Sequence, residues 1–113
     1  MKLSLDPLVT NPDHYKWILE NEHVRVLEYT DQPGDTSAPH NHPNSVMTTL
    51  SSFRRRLRAG DKSREIEISA GTTSWFPGQQ SAGKNIGDTP THVIFVELKD
   101  SAEDAAWMNL GPI

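Results

Sequence analysis

The sequence predicts an all-β domain arranged as an antiparallel sandwich or barrel, and three observations carry that reading. Apolar residues come in short segments rather than in long helical stretches, and Gly, Pro, Asp and Asn separate those segments. Several segments alternate with a period of two, as strands with one face on a core do.

Strands are expected at about 15–20, 23–30, 46–51, 53–58, 64–69, 72–76 and 92–98. Val24, Val26 and Glu28 alternate with Arg25, Leu27 and Tyr29, and the Asn21-Glu22 break predicts a hairpin with the preceding Tyr15–Glu20 segment. A short helix is the alternative there, because Asn11-Pro12-Asp13 reads as a cap followed by proline at the first helical position; the hairpin is favoured. Thr91–Leu98 is nearly continuous in apolar residues, the pattern of a strand buried on both faces. Ser101 then caps a run of helix formers through Met108, which predicts a short C-terminal helix over a barrel end or a partner subunit.

At 113 residues the chain is sized for one domain with one core, 1–113. No run is long enough to span a bilayer and the first residues lack a leader pattern, so a cytoplasmic protein with no membrane partner is expected. The chain has no cysteine, which excludes disulfides, thiolate nucleophiles and cysteine-ligated metals. A net charge of -4 argues against nucleic acid as a partner, despite the cluster Arg54-Arg55-Arg56-Leu57-Arg58.

The most informative stretch is Gly34-Asp35-Thr36-Ser37-Ala38-Pro39-His40-Asn41-His42-Pro43. In extended backbone, residues two apart share a face, so His40 and His42 project together while Asn41 points away. Two adjacent imidazoles can share a divalent cation; two solvated histidines in a proline-rich loop are the bland alternative.

Two motifs around these residues resemble those of the cupin superfamily, specifically its small single-domain bacterial members of the RmlC-like kind. The first superfamily motif opens with glycine, five residues and H-x-H, matched by Gly34 and His40-Asn41-His42. The second opens with glycine, five residues and proline and ends near an asparagine, matched by Gly71 through Pro77 and then Asn85. The resemblance covers roughly residues 15–99. It implies a jelly-roll β-barrel with a ligand pocket at one end, followed by a helical extension over about 100–113, and a homodimer.

The departures bear on chemistry. Alignment puts Ser45 where the superfamily has a glutamate ligand and Ser81 where it has a third histidine. The resemblance implies a divalent metal (zinc, nickel, iron, manganese or copper) on His40 and His42, held weakly or not at all after those two losses. Gln79, Gln80, Asn44 or water would have to complete the set. Gln80, Ser81, Arg55 and Trp75 join the two histidines as expected pocket residues. Arg55 shares a strand face with Phe53 and Leu57, so it either enters the barrel to hold a carboxylate or phosphate, or meets solvent or a subunit interface with its neighbours. The outward reading is favoured, because arginine is rarely fully buried. Trp75 and Phe76 precede the Pro77-Gly78 turn, where they wall a pocket or pack in a core or interface.

Three functions follow from these residues. The first is a small-molecule-binding cupin with a partial two-histidine site. The second is a metal-dependent enzyme of the oxygenase or isomerase type; the third is a regulatory or structural module.

Overall fold

The computed structural model describes residues 4–99. The expected C-terminal helix lies outside the described residues. A four-residue helix, α1 (Pro7–Thr10), precedes nine strands: β1 (Tyr15–Glu20), β2 (Val24–Asp31), β3 (Thr36–His42), β4 (Ser45–Thr49), β5 (Phe53–Ala59), β6 (Lys62–Ile68), β7 (Thr73–Phe76), β8 (Gln79–Asn85) and β9 (Thr91–Leu98). They form two antiparallel sheets, β1-β2-β9-β4-β7 and β3-β8-β5-β6. This is the all-β jelly-roll sandwich that the sequence predicts.

The hairpin at Asn21 forms because the Asn21 carboxamide oxygen accepts from the amides of His23 and Val24, at 2.7 and 2.9 Å. The helix that Asn11-Pro12-Asp13 offers as an alternative does not form, since Tyr15–Glu20 is a strand; a different and unexpected helix, α1, is capped by Asp6 accepting from Leu8 N at 2.9 Å, with Pro7 in its first turn. Between β5 and β6, Ala59 pairs with Lys62, and Gly60 takes the positive φ that the two-residue turn requires.

The full register of β2 on β9, from Val24 against Leu98 to Asp31 against Thr91, sets which side chains face the interior. Leu27, Tyr29, Met47, Phe53, Val93 and Tyr15 form the buried apolar cluster, with Ile68, Phe76 and Phe95 packed against it. The expectation that β9 is buried on both faces is corrected: Thr91, Val93 and Glu97 are buried inward, whereas His92, Ile94, Val96 and Leu98 are only half-buried outward. Strand β3 lies at a sheet edge, and the N-terminal segment covers it there through Asn41 N donating to Leu5 O at 2.8 Å.

Candidate functional site

The interior holds an unusual share of polar groups. His40, His42, Arg55, Asp31, Asn85 and Glu97 are all buried, so each must be satisfied by a partner within the barrel.

His40 and His42 point inward from β3 with ring centroids 5.0 Å apart, nearly perpendicular. The Tyr15 hydroxyl lies between them, 3.2 Å from His40 Nε2 and 3.0 Å from His42 Nε2. The outer nitrogens fix the tautomers. His40 Nδ1 meets the Ala38 carbonyl at 2.7 Å and His42 Nδ1 meets Glu97 Oε2 at 2.8 Å. Both partners can only accept, so both Nδ1 atoms carry hydrogen, and in a neutral ring of this tautomer Nε2 is the acceptor.

Behind His42, Arg25 Nε donates to Glu97 Oε1 at 2.8 Å and Arg25 Nη1 to Asp6 Oδ2 at 2.8 Å. Behind His40, the Asn11 carboxamide accepts from Ala38 N at 2.7 Å and returns a bond to Ala38 O at 3.1 Å. The N-terminal segment thus reaches both rings. Burial pushes the Tyr15 phenol far up, reinforced by Tyr29, so the hydroxyl keeps its proton. Burial also pushes His40 below the usual imidazole range, outweighing the Ala38 carbonyl.

The barrel interior holds a second polar group. Arg55 is only 7% exposed, and its Nη1 donates to Asp31 Oδ2 at 2.5 Å and to Thr91 Oγ1 at 3.2 Å. Tyr29 donates to the same Asp31 oxygen at 2.5 Å, and Asn85 to the other at 3.1 Å. Burial alone would raise Asp31, but the bonds from Tyr29 and Arg55 outweigh it and hold the carboxyl below its ordinary value. Gly83 makes room for this arrangement, since a β-carbon there would lie 3.0 Å from Arg55 Nη2.

Between these two groups lies a cavity of about 120 Å³ whose wall includes His40, His42, Tyr15, Arg55, Ser81 and Gln79. The structure therefore brings four of the expected residues, His40, His42, Arg55 and Ser81, to one cavity. The favoured outward reading of Arg55 is corrected: Phe53 and Arg55 face inward while Arg54, Arg56 and Arg58 face out. Trp75 and Gln80 do not reach the cavity. Trp75 is 54% exposed on the outer face of its sheet, and Gln80 pairs with Asn41 on the side away from the histidines. Tyr15, Glu97 and Asp31 carry no site signal in the sequence beyond the lone carboxylate within Val96-Glu97-Leu98.

A resident metal does not fit these donors. Tyr15 stands where the two Nε2 lone pairs converge, and a phenol that keeps its proton is a poor ligand. Glu97 sits across from Ser45, the position of the missing carboxylate ligand, yet engages the outer nitrogen of His42. Ser45 Oγ is buried with no hydrogen-bond partner among the described residues and offers only a neutral hydroxyl. Among the described residues, no group of three or more His, Asp or Glu side chains is arranged to hold an ion.

Two antiparallel sheets closed over an inward-facing histidine pair give this chain the cupin fold, the double-stranded β-helix. Solved structures share it: a cupin domain from Bordetella pertussis Tohama I is 23% identical with a TM-score of 0.71, over 76% of this chain and 92% of that one. A double-stranded β-helix protein from Klebsiella pneumoniae is 25% identical with a TM-score of 0.59, over 73% and 72%. An RmlC-like cupin family protein from Methanocaldococcus jannaschii is 14% identical with a TM-score of 0.61, over 74% and 77%. No family model matches the sequence, and no curated protein does.

Proposed function

We propose that this chain is a small-molecule-binding cupin of one domain, residues 1–113, which takes its ligand into the cavity between the histidine pair and Arg55 without a resident metal. The supporting observation is the mostly apolar cavity with a few convergent polar groups, the usual character of a ligand site. The metal-dependent enzyme reading loses support because Tyr15 takes the point of convergence.

The same reading makes the protein a cytoplasmic homodimer with neither nucleic acid nor membrane as a partner. No helix of the described residues is long and apolar enough to cross a membrane. Support for the dimer comes from the outer face of the five-stranded sheet. Leu19, Val26, Val96, Val46 and Trp75 stand in register, one from each strand, as an apolar row across all five.

Two measurements test the reading. Elemental analysis of untagged protein is expected to find less than stoichiometric metal; a full equivalent that disappears in His40→Ala/His42→Ala would return the enzyme reading. A metabolite screen by thermal unfolding is expected to give stabilising hits, because a ligand selective for the folded state raises stability by RT ln(1 + [L]/Kd). Ser81→Leu, which puts a larger side chain on the inner face of β8 at the cavity wall, should abolish those hits. Hits that survive it would place the ligand elsewhere.

A further inference from the structure

The cavity walls constrain what can occupy them, given the binding reading above, on which this inference rests. Charge comes first. The Arg55 guanidinium is committed to Asp31, and Glu97 is held by Arg25, so each buried ion beside the cavity already has an opposite partner. A carboxylate entering from water would lose its hydration and meet no unpaired cation, among walls that include Phe53, Ile68 and Phe95. The cavity therefore disfavours an anion, in spite of its arginine.

Hydrogen bonding comes second. With both Nδ1 hydrogens directed outward, two Nε2 lone pairs converge on Tyr15, whose single hydroxyl proton can serve one of them at a time. The buried site is short by one donor, and a buried acceptor without a donor is costly. Size comes third. About 120 Å³ is close to the roughly 150 Å³ apolar cavity that holds a benzene ring.

We propose that the cavity binds a small neutral, largely apolar molecule of about one six-membered ring, carrying a hydroxyl that donates to the imidazole nitrogen the phenol leaves unserved. The ligand class is that of simple phenols and cyclic alcohols, and Tyr15 presents the same group from the protein's own chain. Ser81, half-buried across from His40, lies beside the hydroxyl end of such a ligand.

Titration calorimetry with phenol, toluene and benzoate tests this, on the full chain at pH 8, where imidazoles are neutral and phenol keeps its proton. The three share a ring and differ in the group it carries. Phenol is expected to bind, toluene to bind roughly tenfold more weakly for want of one hydrogen bond, and benzoate not to bind. Benzoate binding tightest, or toluene matching phenol, overturns the inference and leaves the small-molecule reading standing. No heat from any of the three overturns this inference, while the metabolite screen decides the broader reading separately. Ser81→Leu is the control for site: phenol binding that survives it also overturns the assignment.

Discussion

Glu97 accepts from His42 Nδ1 at 2.8 Å, on the side of the ring turned away from the cavity. A carboxylate in that position orients an imidazole and fixes its tautomer, the role such groups play behind metal-binding histidines. Here the nitrogen so presented meets a phenol.

Removing that phenol should have two effects. Tyr15→Phe loses the one hydrogen bond that the phenol gives to either ring and is expected to cost about 1–3 kcal/mol, read from urea unfolding. It also frees two convergent Nε2 lone pairs, so zinc or nickel binding, weak or absent in the natural protein, should become measurable by calorimetry. Unchanged stability together with unchanged metal affinity would show that the hydroxyl is not seated between the rings.

Stability should fall in acid in two windows. His40 has a folded-state value depressed by burial, so its contribution is fully present above about pH 6.5 and is lost as pH falls toward the folded value. The unfolded chain takes up that proton first, so the slope is at most about 1.4 kcal/mol per pH unit for this one group. Asp31 is also depressed, so its contribution is present above about pH 3.9 and is lost below that. Melting curves from pH 8 to pH 3 check both, and His40→Gln should flatten the upper window alone.

The Arg55–Asp31 pair should be expensive to break from either side. Arg55→Met leaves a buried carboxylate without its cation and is expected to cost about 3–5 kcal/mol. Arg55→Met with Asp31→Asn should recover part of that loss, as a double-mutant cycle in chemical denaturation would show. Gly83→Ala acts on the same group by crowding the guanidinium from 3.0 Å, with an expected cost of about 1–3 kcal/mol.

If the apolar row on the five-stranded sheet is the dimer contact, a charge placed in it should separate the subunits. Trp75→Glu is expected to give a monomer by light scattering with the interior unchanged, since Trp75 touches none of the cavity. A natural protein already monomeric at micromolar concentration would end the dimer reading.

The strands that could be read from the sequence are those with an apolar inner face. β1, β2 and β9 appear within a residue of their expected ends because Leu27, Tyr29 and Val93 alternate with more exposed neighbours. β3 and β8 were absent from the expected strands, though His40 and His42 did come out on one face. The inner positions of β3 are Ser37, His40 and His42, and those of β8 are Ser81, Gly83 and Asn85, so neither shows apolar alternation. Strands that build a polar site lose the pattern that marks a strand. The burial of Arg55 is illegible locally for a related reason: it depends on Asp31, which is 24 residues away and gives no local sign of pairing.

The Leu5–Asn41 hydrogen bond closes the outer rim of the strand that bears both imidazoles. Proteolytic trimming ahead of Tyr15 would strip away that closure together with Asp6 and Asn11, leaving a row of vacant backbone amides and carbonyls. Such a rim recruits strands from other molecules, so a clipped sample should lose its ligand and begin to aggregate in the same step.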